Sequence, residues 1–170
     1  MAILSFVGRA LARRINTRGQ FGVGGQKPAL LCVFSLLAAC SNASEPASRT
    51  YDRDPSLGDL PFSSAVIVGD TIYLSGEIGR APGTTVVVEG VAAQTRQIFE
   101  NYKATLARLD SGLEDIVKCT VFLGDMNDYA EMNAAYAEAF PGDKPARSTV
   151  GVNGLALGAA LEIECLAVKS

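Results

Sequence analysis

The sequence predicts an α/β domain of the α+β type: a mixed β-sheet with two helices packed on one face. Three observations predict it. Two long segments repeat apolar residues at three- and four-residue spacing, the period of a helix. Several short runs rich in Val, Ile, Leu and Thr are bounded by Gly, Asp, Asn or Pro, as strands are. The two kinds alternate along the chain, in the order β-β-(β)-α-β-α-β-β, which suits helices gathered on one side of a sheet.

The first two strands are residues 65–68 and 71–74. A Gly69-Asp70 loop between them predicts a hairpin with a II′-type turn, because glycine supplies the positive φ at no steric cost. Ser75-Gly76 ends the second strand. Residues 79–83 read as a loop and residues 84–88 as a short edge strand. The first helix spans residues 91–109, where Thr95, Ile98, Phe99, Tyr102, Leu106 and Leu109 form one stripe, and Asp110-Ser111-Gly112 stops it. Residues 116–123 form a strand with Val117, Cys119, Val121 and Leu123 on one face. Asp125-Met126-Asn127-Asp128 carries helix-start chemistry. The helix that follows runs to about Phe140, with Tyr129, Met132, Tyr136 and Phe140 as its core stripe. Residues 147–152 form another strand, and residues 161–168 the last. Two helices on one face leave the opposite face uncovered. Ile116, Phe122, Leu166 and Val168 are its apolar candidates, so it reads as an interface between copies.

The first 39 residues are of a different kind. Arg9, Arg13, Arg14, Arg18 and Lys27 lie there without one acid; removing these five charges from the formal −3 leaves −8 for residues 40–170. An apolar run over residues 28–39 is too short for a stable membrane span. It ends Leu37-Ala38-Ala39-Cys40. A basic start, a short apolar stretch and small residues at a cut site match a secretory signal, and this one resembles a bacterial lipobox with Cys40 as the lipidated residue. The organisation expected is a lipoprotein signal peptide over 1–39, a polar tether over 40–59 and a domain over 60–170. The location expected is the cell envelope, lipid-anchored, on the periplasmic side in a Gram-negative cell. A buried apolar helix with a chance cysteine is the other reading, and implies the cytoplasm. Arg13-Arg14 reads as ordinary leader charge.

Composition narrows the chemistry. There is no histidine. That removes the usual general base, the Ser-His pair and the commonest metal ligand. Arg, Lys, carboxylates, hydroxyls, thiols and backbone groups remain. The acidic body argues against a nucleic-acid binder, which wants a basic face. Cys32 falls in the leader. Cys119 and Cys165 read as two small buried hydrophobes; a disulfide requires their Cα atoms to lie close.

Pro61-Phe62-Ser63-Ser64-Ala65, Leu74-Ser75-Gly76-Glu77-Ile78, residues 117–123, Pro145-Ala146-Arg147-Ser148-Thr149-Val150 and Leu161-Glu162-Ile163-Glu164 line up, in order and spacing, with the RidA (YjgF-type) enamine/imine deaminases. Asp125-Met126-Asn127-Asp128-Tyr129 and Asn133-Ala134-Ala135-Tyr136 match between them. The resemblance covers roughly residues 60–169. It implies a Bacillus chorismate mutase-like fold and a homotrimeric barrel with ligand clefts between subunits. It implies hydrolysis of 2-aminoacrylate-like enamines and imines to 2-keto acids and ammonia, with no metal and no organic cofactor.

The resemblance also assigns residues. Arg147 matches the clamp on the substrate carboxylate, which a planar guanidinium grips through two parallel hydrogen bonds; a structural ion pair is the alternative. Glu162 matches the acid that positions or activates water. Glu164 shares its strand face and reads as structural. Ser75 and Gly76 match the strand end lining the pocket. Phe62 stands where relatives often carry Tyr, so a phenolic hydroxyl is lost. Asn133 matches a helix residue near the site, and Thr149 stands where some relatives carry Cys. The competing readings are a non-catalytic module that binds small carboxylates through Arg147 and, with least support from the charge, RNA cleavage.

Overall fold

The structure is a computed structural model and describes residues 47–170. The signal peptide expected over 1–39, its Cys40 and the first part of the tether lie outside the described residues.

Among the described residues, chain order gives seven strands and two α-helices. They are β1 Arg49–Asp52, β2 Ala65–Val68, β3 Thr71–Leu74, β4 Glu77–Ile78, α1 Val91–Ala107, β5 Ile116–Leu123, α2 Tyr129–Ala139, β6 Ala146–Gly151 and β7 Leu161–Val168. The strands make one sheet in the order β1-β2-β3-β7-β5-β6, with β4 pairing the far half of β7. β5 and β6 run parallel, joined by the α2 crossover, and the other named pairs are antiparallel. This is the mixed sheet with two helices on one face that the pattern predicts. Gly69 takes φ +59° in the β2–β3 turn, as the hairpin reading requires.

One apolar core lies between sheet and helices. Val121, Leu123, Leu161, Ile163 and Ala167 face it from β5 and β7, and Ile98, Phe99, Leu106, Met132 and Tyr136 from α1 and α2. Phe99 sits at the centre of an aromatic group, edge-on to Tyr136 at 5.2 Å and to Phe140 at 5.1 Å. Edge-to-face pairs of this kind add roughly 0.5–1.5 kcal/mol beyond their buried area.

Four expectations change. Val117 is exposed, and Ile116 takes its place in the core. The cause is a register shift on β5: Ile116 is level with Ala167 and Lys118 with Leu166, so Val117 is an extra residue whose bulge reverses the alternation there. Ile116 therefore leaves the open-face group, which keeps Phe122, Leu166 and Val168 and gains Tyr73. Second, part of the expected tether is folded. β1 pairs with β2, and Arg108 on the helix side holds Asp52 at 2.7 Å, so the ordered domain reaches back to about Arg49. Third, residues 84–88 make a single bridge, Arg80 to Val87, in place of a strand. Fourth, Cys119 and Cys165 are directly opposite on β5 and β7, 4.1 Å apart at Cα, and are joined as a disulfide. The sequence spacing did not reveal that strands 46 residues apart are neighbours.

Candidate active site

One group of the expected residues meets at the β3–β4–β7 junction. Ser75 follows β3. Its backbone N–H donates to the Ser64 carbonyl at 3.0 Å, and its hydroxyl donates to the Ser63 carbonyl at 2.6 Å. Tyr102 rises from α1 beneath it. The phenol lies 3.0 Å from the Ser75 carbonyl and 2.5 Å from the Ile163 carbonyl, and its one proton is shared between them. Burial first, then nearby Glu77, Glu162 and Glu164, push that phenol well above its ordinary pKa, so it stays a donor. The cleft floor is thus fastened to both β3 and β7.

Glu162 pairs with Ile78 of β4 and points to the open face. Its carboxylate lies against Gly76, where a Cβ would overlap it. Gly76 is therefore a close approach and more than a strand end. Glu162 is partly buried, and no cation pairs with it among the described residues. Burial is the main reason its pKa is raised, and Glu164, two residues along the same face, is the second. A raised carboxyl is a stronger base once ionised. Phe62, Ser75, Gly76, Glu77, Arg80 and Glu162 line a cleft of about 380 Å³. Such a volume suits a small organic acid. Beside Glu162, Glu77 and Arg80 form an ion pair at 3.0 Å with little exposure of either side chain, and the Asn101 amide also donates to Glu77 at 3.0 Å. Burial raises the Glu77 pKa, against the pull of Arg80.

The second group lies at the far edge of the sheet. β6 is the edge strand, and Arg147 is level with Cys119, on the helix side. Arg147 Nη2 donates to Asn133 Oδ1 at 2.7 Å and to the Tyr129 hydroxyl at 3.2 Å. The guanidinium lies 4.5 Å from the centroid of the Tyr136 ring, a cation–π contact. No carboxylate pairs with it, and its Nε and Nη1 have no acceptor among the described residues. Among the described residues Arg147 is thus in no ion pair, and half of its fork has no partner there. Thr149, two residues on, shares this face. Its hydroxyl and that of Tyr136 are buried without a partner among the described residues. Burial raises the Tyr136 phenol to about 12, although Arg147 pulls it down.

The two groups do not meet within one chain. Glu162 is level with Phe122 and Phe122 with Val150, all on the open face. Arg147 and Thr149 point to the other face. So Phe62, Ser75, Gly76 and Glu162 share a cleft, Arg147, Asn133 and Thr149 share an edge, and the sheet separates them.

Sequence reasoning does not single out five contributors: Tyr129, Tyr136, Tyr102, Glu77 and Arg80. Of the stripe expected in the core, Tyr136 is buried there while Tyr129 is 40% exposed at the start of α2, and both contact Arg147. The signal was available: Tyr129, Asn133 and Tyr136 follow at four- and three-residue spacing, which puts them on one face of α2. Tyr102 and the Glu77–Arg80 pair depend on tertiary contacts and leave no such spacing.

Comparison with known proteins agrees with this architecture. A family model described as Endoribonuclease L-PSP matches residues 57–169. A RutC family protein of Pyrococcus horikoshii is 44% identical over 110 residues, covering 64% of this chain and 87% of the relative. The chloroplastic Reactive Intermediate Deaminase A of Arabidopsis thaliana is 36% identical over 134 residues, covering 78% of this chain and 71% of the relative. The crystal structure of RidA from an Antarctic Psychrobacter superposes with a TM-score of 0.63 at 34% identity, covering 73% of this chain and 98% of that one. These matches are described both as a deaminase and as an endoribonuclease, and the family is one: this chain belongs to the RidA/YjgF family.

Proposed function

We propose that this chain hydrolyses reactive enamine and imine intermediates, 2-imino acids of the 2-aminoacrylate type, to 2-keto acids and ammonia. One observation carries the reading: a guanidinium with half its fork uncommitted lies on one face, and an unpaired, pKa-raised carboxylate lies over a glycine on the other. The two complete each other only between copies. The open face, with Tyr73, Phe122, Leu166 and Val168, supports a homotrimeric barrel in which Arg147 of one copy faces the cleft of the next. Arg147 would hold the substrate carboxylate. Glu162 would hold a water against the imine carbon and take one of its protons as the C–O bond forms. That proton goes to nitrogen and gives a carbinolamine; the second proton of the former water then passes through Glu162 to nitrogen, so that the C–N bond breaks, ammonia leaves and the carbonyl forms. Water is the only co-reactant and no electrons change hands. Positioning of this kind supplies much of the rate.

The test is ammonia or keto-acid release from a 2-imino acid generated in place, with protein starting at Ser41. Wild type should accelerate it. Arg147→Ala should lose at least about a hundredfold, as expected when a group built to hydrogen-bond its ligand is removed, while the oligomer stays intact. Wild-type rates from a correctly assembled variant would sink the clamp. A second reading, a carboxylate-binding module without catalysis, is favoured by one feature: Phe62 brings no hydroxyl to the cleft for a proton relay. No acceleration by either protein would favour it.

We propose also that the domain is anchored in the cell envelope through Cys40. Two independent observations support this, the Leu37-Ala38-Ala39-Cys40 motif and the Cys119–Cys165 disulfide, since such bonds persist in oxidising compartments.

A further inference from the structure

The cleft beside Glu162 has an apolar wall that hydrolysis itself does not require. Leu60, Phe62, Ile78, Ala156 and Leu157 form it. Leu157 is the unusual member. Its backbone is left-handed, φ 55° and ψ 20°, a conformation that a leucine adopts only where its surroundings impose it. The surroundings do so here. The Ala159 N–H donates to the Ala156 carbonyl at 3.1 Å and closes the turn. Next to it, the Ala160 N–H donates to the buried Gln94 side chain at 2.8 Å, and the Gly124 N–H donates to the Ala160 carbonyl at 2.8 Å. The turn is pinned to α1 and to the end of β5, and it presents Leu157 at the mouth of the cleft, 59% exposed.

The charges of the lining point the same way. Glu77 and Glu162 bring two carboxylates and Arg80 one guanidinium, which is already engaged by Glu77 at 3.0 and 3.3 Å. A second carboxylate on a ligand would meet a net negative lining with its only cation occupied. A neutral apolar substituent meets Leu157, Phe62 and Ile78. The volume, about 380 Å³, leaves room for much more than a methyl group.

We propose that Leu157 is a specificity-determining residue and that the cleft selects 2-imino acids with branched apolar side chains over those with a methyl or an acidic one. The reaction part of this rests on the deaminase reading; the selection rests on the cleft alone. The test therefore reads binding and turnover separately. Pyruvate, 4-methyl-2-oxopentanoate and 2-oxoglutarate are titrated into the assembled protein by calorimetry, and imines made in place from alanine, leucine and glutamate are assayed for hydrolysis. Wild type should prefer the leucine-derived member of each set. Leu157→Gly, which the left-handed backbone accepts without strain, should cut the leucine-over-alanine preference by about tenfold, the scale set by apolar pocket contacts. Leu157→Ala should act in the same direction. Equal preference in wild type, or a preference untouched by both variants, overturns the proposal. Selective binding without any turnover keeps the selection and sinks the deaminase; turnover without selection does the reverse.

Discussion

The cleft around Glu162 and the edge around Arg147 are built on opposite principles. The cleft is fixed by backbone: Gly76 has no side chain, Ser75 is tied through its own N–H and hydroxyl, and Tyr102 binds two carbonyls from below. The edge is fixed by side chains, with Asn133, Tyr129 and Tyr136 on α2 holding one guanidinium. A carboxylate that must sit close to a substrate carbon benefits from the rigidity of a sheet. In the proposed assembly, a guanidinium that reaches toward a neighbouring molecule needs support along its stem and freedom at its tip. The difference teaches that the sheet keeps the guanidinium and the carboxylate from pairing within one chain, so that under the proposed assembly each is free to complete a neighbour's site.

The strongest way to break this comparison is subunit mixing. Arg147→Ala and Glu162→Gln should each be nearly inactive. Co-assembled in equal amounts, they should recover about a quarter of wild-type activity, because random cyclic trimers rebuild one intact site in each mixed assembly. No recovery after demonstrated exchange of subunits would mean that both residues serve a single chain's site, and the opposite-face geometry would have lost its functional meaning.

The disulfide links the two halves through β5, whose Cys119 is level with Arg147 on one side and bonded to Cys165 of Glu162's strand on the other. Closing a loop of 46 residues is worth up to about 4 kcal/mol in the chain-entropy account. Reduction, or replacement of both cysteines by alanine, should lower stability by up to that amount in denaturant melts and leave the cleft's ligand order unchanged. Thiol alkylation on lysis of cells directly into denaturant without reductant sharpens the test, because both cysteines are buried in the native fold: both should escape labelling. Full labelling would place the chain in a reducing compartment and overturn the envelope reading.

How much of this was legible in the sequence follows from the range of the interactions. Both helices, the Gly69 turn and β7 came from local periodicity and needed no partner. Arg147, Glu162 and Gly76 came from motif resemblance, and the structure explains Gly76 by contact with Glu162. What escaped depends on register. The bulge at Val117 is invisible until β5 is laid beside β7. Cys119 and Cys165 became neighbours only through strand order. β1 is a polar edge strand, Arg49 to Asp52, and nothing in its pattern separated it from a tether. That Arg147 and Glu162 face apart required the pairings of β5 with both of its neighbours.

The smallest expected effect concerns Glu164. It lies two residues from Glu162 on the same face, and its charge is the second cause, after burial, of the raised Glu162 pKa. A raised carboxyl is lost as a base at a higher pH than an ordinary one, so the acid limb of kcat/KM should fall above the usual carboxylate value of 4.5. Glu164→Gln removes the like charge and stabilises the ionised form of Glu162. The limb should then move to lower pH, with the burial part of the shift remaining. Comparing variant with wild type on one substrate cancels the imine's own titration. Arg80 and Glu77 share the cleft but neutralise each other, so they should not mask the change. An unmoved limb would assign it to a group other than Glu162. A limb moved upward would mean that Glu164 supports the ionised carboxylate through an assembled interface, and the edge of a neighbouring copy would then be setting the chemistry of the cleft.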